Sequence, residues 1–173
     1  MVNEVFIYDN IMQQRPKPVI IMRHAKASQD PQWTDLERPL TKQGVHHATQ
    51  QAKRIYGWIH EHNIVECAGF SEQYILTSHA ARAYQTAQIV AEQFGLPLHH
   101  ILVDPALYLC SASVYIDRYR YHTTQGCTIL MIVGHNNGIS MVARSKKLRT
   151  ADALLLGYQT NAPLFLREME KDV

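Results

Sequence analysis

Three short polar segments carry residue types that could act together on a phosphoryl group. Arg23-His24-Ala25-Lys26 directly follows the apolar run Val19-Ile20-Ile21-Met22. The segment from Ser78 to Ala87, with Arg82 near its start, follows Tyr74-Ile75-Leu76-Thr77. Gly134-His135-Asn136-Asn137-Gly138 follows Ile129 to Val133. If these runs are parallel strands of one sheet, their carboxyl ends share an edge, and Arg23, His24, Arg82 and His135 meet there. Guanidinium groups stay charged and grip phosphate oxygens through paired hydrogen bonds. A neutral imidazole is a competent nucleophile near neutral pH, and flanking arginines favour the uncharged ring. A second imidazole can donate to the transferring oxygens. Fixed cations then do what a metal does in other phosphoryl-transfer sites. No cysteine, histidine or carboxylate spacing reads as a metal centre, so neither a metal nor a cofactor is expected.

The periodicity supplies elements to position these groups. The uninterrupted apolar run Val19 to Met22 suits a strand buried on both faces. A polar loop covers Lys26 to Leu40. Thr41 is a good N-cap, and a helix is expected to about Ile59, with Val45, Ala48, Ala52, Ile55 and Ile59 on its apolar stripe. Further strands are expected over Tyr74–Thr77, His100–Val103, Thr128–Val133, Ala153–Leu156 and Leu164–Met169. Helices are expected over Ala80–Phe94, stopped by Gly95 and Pro97, and over Ser111–Tyr121 and Ile139–Leu148. Gly134 to Gly138 reads as a turn with ordinary turn glycines. Tyr115, Tyr119 and Tyr121 read as packing residues. Alternating strands and helices predict an α/β fold: a single-domain three-layer α/β/α sandwich with a largely parallel central sheet.

Composition sets the outer limits. A chain of 173 residues with 46% hydrophobic and 18% charged residues fits one globular domain. Residues 1–18 read as an N-terminal extension, with Val5 to Tyr8 as a candidate edge strand and Pro16 and Pro18 breaking the chain before a domain over 19–173. The formal net charge of +2 argues against a large nucleic-acid surface. The apolar runs are too short for a membrane span, and no signal-peptide pattern precedes them. The widely spaced Cys67, Cys110 and Cys127 fit free thiols in a reducing cytoplasm. Most of the ten histidines read as scattered surface residues.

The three motifs, in this order and each after a strand, resemble those of the histidine phosphatase superfamily, over about Val19 to Met169. Arg23-His24 is similar to that family's opening pair, which implies His24 as the phosphoryl-accepting nucleophile. The Arg-His-Ala-Lys form resembles SixA-type phosphohistidine phosphatases, and Arg38-Pro39-Leu40-Thr41 followed by Gly44 is similar to the stretch before the family's first helix. The resemblance gives Arg82 the role of the second phosphate-gripping arginine and His135 that of the second histidine, in a phosphoglycerate-mutase-like fold. Lys26 and Arg38 read as substrate contacts or, equally, as solvated loop residues.

One departure is informative. Where many members carry a general-acid Glu, the similar stretch Asp104-Pro105-Ala106-Leu107-Tyr108 places Tyr108, and SixA-type members also lack the acid there. An ester alkoxide needs a proton from the enzyme, whereas a phosphohistidine leaves as neutral imidazole once its ring is protonated, at a reference pKa of about 6.5. Asp30, Asp35, Glu37 and Asp104 stay open as proton donors from loops. The expected function is therefore hydrolysis of phosphohistidine on a signalling or phosphotransfer protein in the cytoplasm. A small-molecule phosphomonoesterase and a non-catalytic phosphate-binding module are the alternatives. The expected partner is a phosphorylated protein or small phosphorylated substrate, with neither nucleic acid nor membrane.

Overall fold

The computed structural model describes residues 19–62, 73–125, 127–142, 148–156 and 164–165. Strand β1 is Val19–Arg23, followed by helix α1 (Lys42–Glu61), β2 (Gln73–Thr77), α2 (Ala81–Phe94), β3 (Ile101–Val103), α3 (Ala112–Thr124), β4 (Thr128–Gly134), α4 (Asn136–Val142), β5 (Ala153–Leu156) and β6 (Leu164–Phe165). The candidate strand over residues 5–8, residues 143–148 of the last expected helix except Leu148, and the stretch after Phe165 lie outside the described residues.

The strands form one sheet in the order β3-β2-β4-β1-β5-β6. The pairs β1–β4, β2–β4 and β2–β3 are parallel, while β5 and β6 join antiparallel. The α/β sandwich with a largely parallel sheet is therefore as the sequence predicts. The pleat divides the core. Ile20, Met22, Ile75, Met131 and Val133 pack beneath α1 and α2, and Ile21, Leu76 and Ile132 pack beneath α3 and α4. A register shift between Tyr74 and Ile75 inserts an extra residue in β4, so Leu130 and Met131 both face the α1/α2 layer.

Local signals explain the helix limits. The Thr41 side chain accepts from Gly44 N at 3.0 Å and caps α1. Helix α2 ends at Gly95, whose φ of +66° lets the Gly95 and Leu96 amides return to Glu92 O and Ala91 O. Two expectations need correction. Val45 is exposed, and Gln51 and Trp58 complete the buried stripe of α1, because the stripe drifts around the helix as its apolar residues recur. The expected turn over residues 134–138 is a strand end and a helix start. Gly134 closes β4, and α4 begins at Asn136 instead of Ile139, with Ile139 N donating to His135 O.

The glycines there are steric. A Cβ on Gly134 would lie 1.9 Å from the Tyr115 hydroxyl oxygen, and one on Gly138 would lie 2.5 Å from Cys110 O and Tyr115 Cε2. Gly138 thus sits inside a helix despite its poor propensity because a ring presses on it. Gly44 does the same in α1, where a Cβ would meet Lys26 O at 2.1 Å. Helix α1 is thereby pressed onto the backbone that follows β1, where Thr41 N also donates to Lys26 O at 2.9 Å. Even in the middle of a helix, alanine in place of glycine stabilises by only about 0.5–1 kcal/mol, and Gly44 lies in the first turn of α1. For Gly44→Ala the sign should reverse, with a loss of about 1–3 kcal/mol from overpacking against a carbonyl that cannot yield. Urea unfolding of that variant should show the loss, and a stability equal to or above that of the parent chain would contradict the packing.

Candidate active site

Strand register brings the predicted residues together. Arg23 and Gly134 are Cα partners across the parallel β1–β4 pair, so His24 and His135 are the next residues out on adjacent strands. His24 N donates to Gly134 O at 2.9 Å, and the two imidazole centroids are 5.1 Å apart. Thr77 ends β2 beside Val133, and Ser78 Oγ reaches His135 Nε2 at 2.8 Å. Arg82 rises from the first turn of α2 and is only 2% exposed. The loop after β1 folds back through an Ala27–Leu40 bridge and a Ser28 N to Pro39 O bond. Ala81 N then donates to Leu36 O, which lays this loop over α2.

A cavity of about 300 Å³ opens among these elements. Arg23, His24, Lys26, Arg38, Arg82 and His135 all line it, so the structure gathers all six sequence candidates. It also gathers Asp35, Asn136 and Thr150, which type and spacing alone did not single out as contacts. The other loop acids stay away. Asp30 bonds Gln32, Glu37 accepts from Thr34, and Asp104 is buried against Arg118 and His122. Lys26 Nζ donates to Gln43 Oε1 at 2.7 Å on the exposed rim, and Arg38 bridges Ser28 O and Asp35. Tyr108 does not line the cavity. Its hydroxyl donates to Asp35 Oδ2, and its ring stands edge-on to His135 with centroids 5.3 Å apart.

The hydrogen bonds assign each imidazole a state. His24 Nδ1 lies 2.8 Å from Ala25 O, a partner that can only accept, so Nδ1 carries the proton and Nε2 keeps its lone pair. Arg82 Nε–H points at that lone pair from 3.3 Å. Burial first, and then the charges of Arg82, Arg23 and Arg38, bring the His24 pKa down to about 4, against the opposing pull of the Ala25 carbonyl. Burial, His24 and Arg82 lower His135 to about 3. Both rings are neutral at neutral pH. Arg82 Nη2, which can only donate, approaches His135 Nδ1 at 3.5 Å, so in the free site the ring proton sits on Nε2 and Ser78 Oγ accepts it.

Arg82 is the hub. Its Nη2 pairs with Asp35 Oδ2 at 3.0 Å, and its Nη1 donates to Asp35 O. Thr86 Oγ1 donates to Arg82 O at 2.7 Å and accepts from Ala25 N at 3.1 Å, tying α2 to the residue after His24. The sequence reads Tyr115 as a packing residue. It is fully buried, and its hydroxyl also accepts from His135 N at 2.8 Å, so it fixes the backbone that presents the second histidine. Ser78 carried no signal of its own beyond its place after a strand. Arg23 anchors to Leu148 O, and its Nε is buried without a partner among the described residues. Burial lowers its pKa, against the opposing charge of Asp152.

This arrangement can be set beside known proteins. The profile of the histidine phosphatase superfamily (branch 1) matches residues 19–107, just over half of the chain. The chain belongs to the histidine phosphatase superfamily. The match includes the β1 loop, α1, β2, α2 and the stretch to Leu107, and hence His24 and Arg82. No curated protein matches the sequence significantly. Among solved structures, SixA from Agrobacterium tumefaciens, assigned as a phosphohistidine phosphatase, is 22% identical, with 81% of this chain and 91% of that one covered at a TM-score of 0.61. A protein histidine phosphatase SixA complexed with tungstate is 23% identical, with 86% and 93% covered at a TM-score of 0.61. A mycobacterial glucosyl-3-phosphoglycerate phosphatase is 14% identical, with 80% and 89% covered at 0.55. These likenesses establish the superfamily's phosphoglycerate-mutase-like fold. Among the described residues no helix is long and apolar enough to cross a membrane, and no group of three or more metal-ligating side chains occurs.

The depressed histidine pKa values carry a signed consequence. An unfolded chain binds protons at histidine from about pH 6.5 downward, whereas folded His24 resists until about 4. The neutral ring therefore contributes stability above pH 6.5, and that contribution is lost as the pH falls towards 4. Nitrogen-detected NMR titration of the free protein should find the His24 midpoint near 4 and His135 lower still. A midpoint near 6.5 for either ring would contradict the buried cationic setting.

Proposed function

We propose that this chain is a phosphatase that hydrolyses phosphohistidine on a signalling or phosphotransfer protein, through a covalent phosphohistidine on His24. The observation that carries the reading is the neutral His24 Nε2, held beside Arg82 by the Nδ1–H to Ala25 O bond, at the floor of a cationic cavity.

In the first step the His24 Nε2 lone pair forms a bond to phosphorus in line with the breaking bond. The incoming phosphoryl oxygens take over the Arg82 Nε–H and meet the unused Arg23 Nε–H. His135 contributes as a neutral donor. In the free site Arg82 Nη2 donates to His135 Nδ1. Once the phosphoryl group takes that guanidinium N–H, Ser78 donates to Nε2 and the ring proton moves to Nδ1, which offers it to an oxygen that gains charge in the transition state. Lys26 and Arg38 serve as substrate contacts at the rim. The leaving nitrogen of a phosphohistidine protonated on its distal nitrogen departs as neutral imidazole, with the bonding pair and without a proton from the enzyme. Water then attacks the phosphorus on His24, the P–N bond breaks, and inorganic phosphate is released with the water's proton. Arg23, Arg82 and His135 stabilise both transition states, so the scheme uses no metal. Residues 19–173 act as one catalytic domain preceded by the 1–18 extension, in the cytoplasm.

The substrate class follows from the proton inventory. Tyr108 stands where ester-cleaving relatives place an acid, but its hydroxyl proton is committed to Asp35, and its pKa is raised first by that bond. Asp35 is held below the usual carboxylate range, first by Tyr108 and then by Arg38 and Arg82, so it holds no proton to give at neutral pH. Solved phosphatases of the same fold include both SixA proteins and a glucosyl-3-phosphoglycerate phosphatase, so a small-molecule esterase is the reading against which this one is tested. General-acid assistance is worth roughly a hundredfold to ten-thousandfold. The catalytic efficiency on a phosphohistidine peptide should exceed that on glycerol phosphate by a factor in that range. Comparable efficiencies would refute the phosphohistidine reading and favour the esterase.

A further inference from the structure

The cavity wall is cationic except at one point. Arg23, Lys26, Arg38 and Arg82 line it, and among the described lining residues Asp35 is the one carboxylate. Asp35 Oδ2 accepts from Tyr108 Oη and from Arg82 Nη2, and Oδ1 accepts from Arg38 Nη2. A carboxylate there competes with an incoming phosphoryl group for the same guanidinium and weakens phosphate binding. It is nevertheless fixed by three donors from three separate segments, while its side chain stays 47% exposed. Its partners hold it ionised and in place, and its exposure leaves it within reach of a ligand entering the mouth.

We propose that Asp35 is the specificity-determining residue of the site. Its carboxylate faces the leaving group, accepts a hydrogen bond from one that presents an N–H, and repels one that carries negative charge. The preferred class is a phosphorylated nitrogen heterocycle, and the rejected class is the carboxylate- or phosphate-bearing phosphoester. This deepens the phosphohistidine reading and rests on it for the identity of the preferred substrate. When His24 Nε2 bonds to phosphorus, the substrate P–N pair moves onto the leaving nitrogen. The distal N–H stays on the ring, and Asp35 stabilises the protonated heterocycle by accepting from it. Asp35 remains a carboxylate throughout. Tyr108 positions that carboxylate and touches no substrate.

The test compares the full chain with Asp35→Asn and Asp35→Glu on three substrates: a phosphohistidine peptide, p-nitrophenyl phosphate and 3-phosphoglycerate. The p-nitrophenyl ester normalises any change in Arg82 placement, because its aryl group bears neither an ionised substituent nor an N–H and departs as a stabilised phenolate without a proton from the enzyme. In Asp35→Asn, kcat/KM on the peptide relative to p-nitrophenyl phosphate should fall roughly tenfold to a hundredfold, the worth of one charge-assisted hydrogen bond. The ratio of 3-phosphoglycerate to p-nitrophenyl phosphate should rise. Asp35→Glu keeps the charge and should keep the parent ranking. Equal proportional losses on all three substrates would overturn the proposal and leave Asp35 as an ion-pair partner of Arg82 alone. Loss of the ranking in Asp35→Glu would overturn it too. A parent chain that prefers esters to the peptide would defeat the phosphohistidine reading by itself. Selection by charge is still decided by the ratio between the two esters.

Discussion

A buried guanidinium organises this site. Removing an arginine from water costs several kcal/mol unless its donors are satisfied and its charge is opposed. Arg82 is 2% exposed, and it meets the requirement with His24 Nε2, His135 Nδ1, and the carboxylate and carbonyl of Asp35. Three consequences follow from that one placement. Both imidazoles stay neutral, first because they are buried, and Arg82 reinforces this because a second and third cation beside it would leave its charge more poorly opposed. The loop after β1 is drawn over α2, because Asp35 must reach the guanidinium. The cavity is electrostatically prepared for a dianion, with its present counter-ion supplied by the protein and nearly half exposed.

The scaffold turns this electrostatic demand into geometry. Parallel pairing of β1 with β4 at Arg23 and Gly134 sets the two histidines side by side, and no loop conformation has to be searched to align them. Tyr115 then holds the His135 backbone through glycines that admit its ring at 134 and 138. Thr86 ties α2 to Ala25, and Gly44 lets α1 close on Lys26. His24, Arg82 and His135 are thus supported by helices and strands, which hold site distances better than loops do.

Much of this was legible in the sequence because it depends on short-range pattern. Apolar runs marked the strands, Thr41 marked the start of α1, and the polar residues at strand ends marked His24, Arg82 and His135. Less legible were contacts made between distant segments. Asp35 was one of four loop acids, and only the Ala81–Leu36 bond, which folds the loop over α2, separates it from Asp30 and Glu37. Tyr115 lies on a helix whose spacing speaks only of packing, and its hydroxyl matters because β4 ends beneath it. The start of α4 was misjudged because glycine usually signals a turn. At Gly138 the requirement for space outweighs the local preference. Tyr108 lies beside His135, but its commitment to Asp35 depends on a partner 73 residues away.

On the proposed route a neutral His24 accepts the phosphoryl group. The most direct measurement is rapid quenching of the enzyme with a phosphorus-labelled phosphoryl donor, followed by peptide mapping of the label. Acid-labile, base-stable label on His24 Nε2, formed and discharged at least as fast as steady-state turnover, is the predicted result. Label on another residue, or a His24→Ala chain that turns over at the parent rate, would contradict the account.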